Sequence, residues 1–238
     1  MNCKTKLFFI LFILIFFSLQ AEKIHLSIRY LGLKVVNIVM EDSENQISIY
    51  GQSTSLANIA AKLDNYYLVE YDSDYLPIKY SKKIVQKNYF EDRITYYNRE
   101  KSYAEMISFL DSSKSCEYEI KPSTRDFFSG LYYLRNQEKS GEMWVDANQI
   151  IWKITYEFIG KETVNCAIGK VDARIVKITC KKYSDEKPKR SDMLTNNLVN
   201  EKNALYFWFT DDEQSIPVKA KYSMKPFSVI WKIESYEK

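Results

Sequence analysis

The stretch IHLSIRYLG, residues 24–32, shows the pattern on which the interpretation of the whole chain depends. Apolar side chains occupy every second position and polar ones lie between them, with Ile24, Leu26, Ile28 and Tyr30 against His25, Ser27 and Arg29. A repeat of two residues is typical of a β-strand that buries one face. The runs LKVVNIVME and QISIYGQST follow Gly32 and the turn-forming DSEN, which predicts an antiparallel meander.

Strand-like runs continue nearly to the C-terminus, and turn-forming residues separate them into roughly a dozen strands. Pro77 lacks an N–H for the ladder, so we expect it at the start or edge of its strand. The segments VDANQ and TDDEQS are predicted hairpin turns. The polar stretch 184–203 resembles a mobile loop within one domain more than a linker. We therefore predict a single all-β envelope domain over residues 22–238, mainly antiparallel, with a large curved sheet or a partly open barrel or roll.

Helical spacing is clearest in STRDFFSGLYYLRNQ, residues 123–137, where Phe127, Leu131 and Leu134 form one apolar stripe. Ser123 is the predicted N-cap, and Asp126 three residues on completes a weaker form of the capping box. Gly130 costs about 1 kcal/mol relative to alanine, which indicates close approach to a strand or to a ligand. We predict that this central helix packs on the concave face of the sheet. A second, short helix is predicted over residues 55–63.

The N-terminus has the pattern of a secretory signal peptide. Lys4 and Lys6 precede eleven apolar residues, 7–17, and SLQA then leads to the polar EK. The apolar run is shorter than the about 20 residues that a membrane span needs, although a retained anchor is the alternative. We predict a signal peptide over residues 1–21, removed after Ala21. The chain is then exported to the periplasm or cell envelope and is not an integral membrane protein.

Charge and cysteine content exclude some classes of function. Of 34 basic residues, two lysines lie within residues 1–21, which leaves 32 basic against 31 acidic residues and a net charge of +1. This balance gives no electrostatic basis for binding nucleic acid. Three cysteines remain, Cys116, Cys166 and Cys180, and a disulfide between the last two stays open because spacing does not supply the bond geometry.

The sequence offers little catalytic chemistry. His25 is the one histidine, and it lies on the polar face of the first predicted strand without a partner motif. We predict no catalytic residue, no metal site and no cofactor. The adjacent acids Asp211, Asp212 and Glu213 are better explained by a hairpin turn than by catalysis or calcium. Asp126 and Arg135 are about 2.5 helical turns apart, so we expect them on different faces and not paired with each other.

Several segments together resemble a known family. In order they are DFFSGLYYLR, GEMWVDANQIIWKITYEFIGKETVN, IGKVDARIVKI and LYFWFTDDEQSIPVKAKY, and they resemble the bacterial exported domain of unknown function 3108. Asp126, Ser129, Tyr132 and Arg135 match its helical motif D-x-x-S-x-x-Y-x-x-R. Trp208, Asp211, Asp212 and Pro217 match its second motif, with Thr210 where serine is expected. The resemblance implies export, a single domain and an all-β fold, and it implies no activity.

The predicted function is a non-enzymatic envelope protein that binds an apolar or lipid-like ligand, or an envelope protein partner. The candidate ligand-binding residues are Asp126, Ser129, Tyr132, Arg135, Trp208 and Asp211. We expect the ligand between the central helix and the concave face of the sheet. Two alternatives stay open: a hydrolase of envelope polysaccharide that uses two facing carboxylates, and a scaffolding protein that docks through a strand edge.

Overall fold

The computed structural model describes residues 21–184, 191–196, 198–224 and 227–238. Residues 1–20 lie outside these ranges, and so does almost all of the predicted signal peptide. Within the described ranges, no helix has the length and hydropathy of a membrane span.

The described residues form fifteen strands and four short helical segments. The strands are β1 Glu22–Tyr30, β2 Leu33–Ser43, β3 Gln46–Ser53, β4 Leu63–Tyr71, β5 Pro77–Gln86, β6 Tyr89–Asn98, β7 Tyr103–Ser108, β8 Cys116–Glu119, β9 Thr124–Asp126, β10 Gly141–Asp146, β11 Ile151–Cys166, β12 Gly169–Lys182, β13 Leu205–Thr210, β14 Pro217–Met224 and β15 Phe227–Glu237. The helices are α1 Ser55–Asn58, a 3₁₀ turn Ser112–Lys114, α2 Phe127–Arg135 and α3 Met193–Asn196.

All fifteen strands of the described chain belong to one sheet with the order β8-β7-β6-β5-β4-β3-β2-β1-β15-β14-β13-β12-β11-β10-β9. Each strand pairs antiparallel with its neighbour except β9, which runs parallel to β10. The predicted all-β fold is therefore confirmed, and Pro77 begins β5 as expected. The two predicted hairpin turns join β10 to β11 and β13 to β14.

The sheet curves until its two outermost strands approach each other. Residues 120–123 alone join β8 to β9, and so short a connection spans at most about 18 Å. Hydrogen bonds join β6 and β8 to β10 on the other side of the sheet. The Tyr97 hydroxyl donates to Asp146 Oδ2 at 2.9 Å, and the Tyr118 hydroxyl donates to the same oxygen. No ladder joins β8 to β9, so the sheet stays open, as the prediction of a curved, partly open sheet implied.

The central helix lies in the concave interior but begins later than predicted. Residues 124–126 remain extended as β9, and Asp126 rather than Ser123 is the N-cap. Asp126 Oδ1 accepts hydrogen bonds from the backbone N–H groups of Phe128 at 2.8 Å and Ser129 at 3.3 Å. Pairing of β9 with β10 holds the chain extended up to the cap, which explains why Ser123 does not start the helix.

Helix α2 fills the space on the concave side of the sheet. Leu131 and Leu134 are buried, and the Phe128 ring lies 4.9 Å from the ring of Tyr67. The cavity that remains against Phe127, Leu131, Leu134 and the facing strands has a volume of about 20 Å³. That volume holds no more than one water molecule. The helix is a filler of the sheet, as predicted.

Three local predictions need correction. The helix predicted over residues 55–63 ends at Asn58, and the chain is extended again from Leu63, where β4 begins. Leu56 and Ile59, expected on its apolar face, are 64% and 80% exposed, so no packing extends the helix. The described part of the stretch 184–203 is packed, not a free loop, with Asp192, Leu194, Leu198 and Val199 buried.

The register also separates Cys166 from Cys180. Cys166 lies opposite Gly169 at the tip of the β11–β12 hairpin, whereas Cys180 lies opposite Ile154 near its base. All three described cysteines are free thiols. The disulfide between Cys166 and Cys180, which the sequence left open, is therefore not formed.

We expect Gly130→Ala to stabilise the protein by up to about 1 kcal/mol, because alanine is the better helix former. A Cβ at Gly130 would lie 3.5 Å from Val145 Cγ2, an ordinary contact. The comparison is Gly141→Ala, whose Cβ would lie 2.6 Å from the Tyr156 hydroxyl oxygen and should destabilise by about 1–3 kcal/mol. Urea unfolding measures both, and equal losses in the two variants would contradict the expectation.

Candidate functional site

The residues predicted at the start of helix α2 serve its N-terminus. Asp126 and Ser129 are both fully buried, and the Ser129 hydroxyl donates to the backbone oxygen of Asp126 at 3.3 Å. Burial raises the pKa of Asp126 to about 6, although hydrogen bonds from Ser129 and the Phe128 N–H lower it in part. Asp146, its direct neighbour on β10, raises the pKa further through like charge.

Arg135, at the other end of the helix, connects three parts of the chain. Its Nη1 and Nη2 donate to the two carboxylate oxygens of Glu22 on β1, each at 2.6 Å. Nε donates to the backbone oxygen of Ser215 at 3.0 Å, and Nη2 to that of Gln214 at 2.8 Å. The guanidinium carbon also lies 4.8 Å from the ring centre of Tyr132. Asp126 and Arg135 do not pair, as predicted, and Arg135 forms its ion pair with a strand residue.

The turn between β13 and β14 is built around Asp212. Its Oδ1 accepts from the N–H groups of Gln214 and Ser215, each at 3.0 Å, and from the Thr210 hydroxyl at 2.7 Å. Arg174 donates to Ser215 Oγ at 2.6 Å and to the backbone oxygen of Arg135. The end of the helical motif and the turn of the second motif therefore meet in space.

The remaining predicted residues do not join them in one pocket. Trp208 is buried on the opposite face of β13 from Phe207 and Phe209, and Lys219 Nζ lies 4.0 Å from its ring centre. Asp211 forms an ion pair with Lys161 in an open groove. Helix capping, packing and ion pairing account for the contacts of all six candidates, and their role in ligand binding stays a prediction.

A second group of polar residues, which the sequence did not indicate, lies on the concave face of β4–β6. Lys82 is fully buried between Asp192 Oδ2 at 2.7 Å and Glu91 Oε2 at 3.2 Å. Arg93 pairs with Glu91 Oε1 at 2.9 Å. Burial raises the pKa of Asp192, but the charge and hydrogen bond of Lys82 outweigh this and hold the pKa below its usual range.

The β10–β11 turn reaches this group from the opposite wall. Asn148 and Gln149 both have positive φ, 61° and 63°, as in a type I′ hairpin turn. Asn148 Oδ1 accepts from Lys82 Nζ at 2.9 Å, from Ser191 Oγ at 2.6 Å and from Arg93 Nη2 at 3.3 Å. One amide oxygen therefore joins β5, β6 and the segment that precedes α3.

A cleft of about 540 Å³ opens beside this group. Its apolar or aromatic lining residues are Tyr89, Phe90, Met106, Leu110 and Cys116, and its polar ones are Glu91, Arg93, Ser108, Ser113, Lys114, Ser115, Asn148, Gln149 and Ser191. The volume lies within the about 300–1,000 Å³ of small-molecule sites. Arg93 Nε has no hydrogen-bond partner among the described residues. The lining of the cleft thus combines apolar and charged side chains.

The geometry of the cleft suits binding better than catalysis. Lys82 Nζ lies 3.0 Å from Ser191 Oγ, the arrangement of a hydroxyl and a general base. Lys82 Nζ, however, donates to this hydroxyl and also contacts Asn148 Oδ1, Asp192 and Glu91, an arrangement that holds the serine in place rather than activating it. Within the described ranges, no group of three or more His, Cys, Asp or Glu side chains is placed to hold a metal ion.

Comparison with protein families gives one match, over residues 23–226, to the family described as "Protein of unknown function (DUF3108)". The chain belongs to this family. No curated protein matches it. The match confirms the family that the sequence motifs resemble, and the function of that family is unknown.

Two solved structures are similar to this DUF3108 chain. A β-barrel-like protein of domain of unknown function DUF1849 from Brucella abortus has a TM-score of 0.57 and 9% identity, covering 92% of this chain and 97% of its own. A protein with a YmcC-like fold from Bacteroides fragilis has 10% identity over 91% of this chain and 95% of its own, with a TM-score of only 0.33. The first likeness shows a shared fold and nothing about activity.

The sequence held a partial signal for the polar group of this family member. In IKYSKKIVQ, period two places Lys82 on the same face as Tyr80 and Ile84, so a charge interrupts an apolar face. In YFEDRITYYN both faces mix aromatic and polar residues, so the inward position of Glu91 and Arg93 was not readable. Asp192 lies about 110 residues from Lys82 in a polar stretch, and only the fold brings them together.

We expect Arg135→Ala to lower the free energy of unfolding by about 3–5 kcal/mol, because it leaves the Glu22 carboxylate, whose side chain is only 16% exposed, and two backbone oxygens without their donor. The control is Arg29→Ala, whose pair with Glu234 is one-third exposed and should change stability by less than about 1 kcal/mol. Urea unfolding compares the two, and similar losses would show that Arg135 is not a structural tie.

Asp126→Asn should become increasingly favourable as the pH rises. The folded pKa of Asp126, about 6, lies above the ordinary value of 3.8, so the folded wild type retains a proton that the unfolded chain loses. Wild-type stability from this group is therefore lost as pH rises from about 4 to above 6, by about 3 kcal/mol. Asparagine can still cap the helix and does not ionise.

The matched control for this pH dependence is Asp111→Asn, at an exposed cap where hydrogen bonds with Ser113 and Lys114 lower the pKa. A lowered folded pKa confines the pH dependence of this group to below about pH 4, so Asp111→Asn should differ from the wild type by a constant amount between pH 4 and pH 8. Unfolding is measured from pH 4 to pH 8 for both variants and the wild type. A stability difference between Asp126→Asn and the wild type that stays constant over this range would contradict the assignment.

Proposed function

We propose that this DUF3108 member is an exported, non-enzymatic protein that binds an amphipathic ligand with an anionic head in the cleft beside Arg93. The observation that carries the proposal is the cleft itself, about 540 Å³ in volume, whose lining includes both apolar and charged side chains. Sites for small ligands combine these two features.

The charges of the lining residues favour an anionic head. Arg93 and Lys114 are the two cations of the lining, and Glu91 is its one acid. The guanidinium of Arg93 is suited to carboxylate or phosphate groups because of its planar fork of donors. Phe90 and Leu110, each 61% exposed, and the buried Met106 provide apolar surface for a chain or ring.

The ligand site proposed here is the cleft, and not the position that was expected from the sequence. That position lay between α2 and the concave face, where a volume of about 20 Å³ remains. A lipid-like molecule does not fit there without unpacking the core. The cleft beside β6–β8 is more than twenty times larger and opens to the surface.

Export is proposed from the N-terminal sequence. Cleavage after Ala21 would make Glu22 the first residue of the mature chain. The Glu22 carboxylate holds Arg135, so processing at this position keeps the contact that ties the helix to β1. The mature chain would then begin at its first ordered strand.

The two alternatives gain no support from the contacts. Asp126 is buried away from solvent, and Asp212 accepts three hydrogen bonds within its own turn, so neither faces a second acid across open solvent. For docking through an edge, β9 is buried, and the exposed side chains of β8 are Glu117 and Glu119. Charged residues on an edge strand oppose pairing with another chain.

The test is isothermal titration with dodecyl phosphate below its micelle concentration, and with dodecyltrimethylammonium as the cationic counterpart. We expect dodecyl phosphate to bind more tightly, because cations predominate in the lining. Lys114→Glu should weaken its binding about fivefold, and Leu110→Ser about tenfold, because charge and apolar contact are lost. Both side chains are exposed, so the fold should be retained.

The matched controls lie at the opposite end of the strands: Lys101→Glu for charge and Ile78→Ser for apolar area, both at exposed positions. These variants should bind dodecyl phosphate like the wild type. The proposal fails if the two amphiphiles bind equally, or if the control variants lose as much affinity as the cleft variants.

A further inference from the structure

The exposed apolar side chains are concentrated at one end of the sheet. Six of them define a surface that we call the rim: Leu31, Leu33, Leu56, Ile59, Phe90 and Phe227. Their exposed fractions run from 45% at Phe227 to 80% at Ile59. Single exposed apolar residues are ordinary, but a group at one end of a fold marks an interaction surface.

The antiparallel order places these residues together although they span most of the sequence. β1 ends and β2 begins at this end of the sheet, where Tyr30 pairs with Leu33. α1 follows β3 there, and its N-cap Thr54 donates its backbone N–H to Val35 at 2.9 Å. β6 and β15 also begin at this end, and the Phe227 ring packs edge-on against Tyr30 at 5.9 Å.

Leu31 occupies a backbone conformation that is unfavourable for leucine. It lies at the tip of the β1–β2 turn with φ of 53°, beside Gly32 with φ of 81°. Asparagine, aspartate and glycine are the usual residues at such positions. The Leu31 side chain is 57% exposed, so packing within the chain offsets little of this cost. The strain therefore points to a role for this side chain outside the folded chain.

Lysines accompany the apolar rim. Lys62 and Lys87 are exposed and adjacent, since the Lys87 N–H donates to the Lys62 backbone oxygen at 3.3 Å. Lys62 lies three residues after Ile59, and Lys87 three residues before Phe90. Apolar tips between lysine side chains match the interface of a bilayer with anionic headgroups.

We propose that the rim is the surface by which this protein docks onto an anionic lipid membrane. The six apolar residues lie at separate strand ends and turns, and Phe90 alone among them lines the cleft, so they suit shallow insertion into a lipid surface more than the packing of a folded partner. Phe90 belongs both to the rim and to the lining of the cleft, so the cleft opens where the membrane would lie. The docking does not depend on what the cleft binds.

The test is co-sedimentation with vesicles of 30% phosphatidylglycerol in phosphatidylethanolamine, and with neutral phosphatidylcholine vesicles. The protein is used as recovered from expressing cells, with its N-terminus read by mass spectrometry. The variant pair Leu31→Asn with Ile59→Asn should lower the partition coefficient on anionic vesicles about tenfold or more, because two apolar contacts are lost. Asparagine at position 31 should also relieve the strain, so unfolding stability should be unchanged or higher.

The matched control pair is Ile78→Asn with Tyr96→Asn, two exposed apolar positions away from the rim. All variants share the same N-terminal segment, so any contribution from it cancels. Wild-type binding to anionic vesicles, loss in the rim pair and less than a twofold change in the control pair support the proposal. Absence of wild-type binding, or equal losses in the two pairs, overturns it.

Two further outcomes separate this proposal from others. If sedimentation without vesicles shows a dimer that the rim pair dissociates, the rim is a contact between copies of the chain and membrane docking is overturned. The rim pair should bind monomeric dodecyl phosphate like the wild type, since Leu31 and Ile59 do not line the cleft. Rim and cleft can thus fail independently.

Discussion

Only four residues, 120–123, join the two outermost strands of the sheet, β8 and β9. Two meanders of the described chain meet at the central pair β1–β15, and this short connection obliges the sheet to curl until its edges approach. A curled sheet has an interior that must be filled. Helix α2 directly follows β9 and enters that interior, with Asp126 as its cap and Arg135 fixed to Glu22 at its far end.

The interior has two chemically different halves. Around α2 and the later strands it is apolar and closed, with about 20 Å³ left empty. Beside β4–β6 it holds Lys82, Glu91, Arg93 and Asp192 in paired form. Buried ion pairs add little net stability, because desolvation offsets their attraction. Glu91 and Arg93 also line the cleft, so this group fixes the position of two of its charged side chains.

The features that were predicted correctly depend on residues that are close together in the sequence. The period-two strands, the start of β5 at Pro77, the two hairpin turns and the filler helix are all set by neighbours in sequence, and they were predicted. The features that were predicted wrongly depend on contacts between residues that are distant in the sequence. Pairing of β9 with β10 keeps residues 124–126 extended, so the helix cap is Asp126 and not Ser123. Asp192, in a stretch that was predicted as a loop, is buried because it pairs with Lys82.

By itself the sequence determined the family, the all-β class and the central helix, because alternation, turn residues and apolar spacing act over a few residues. Only the tertiary structure decided which charges face inward. A strand has two faces, and a mixed run such as YFEDRITYYN gives no local reason to choose one. The cleft with Arg93 and the rim with Leu31 and Ile59 exist because sheet order collects residues that are distant in the chain.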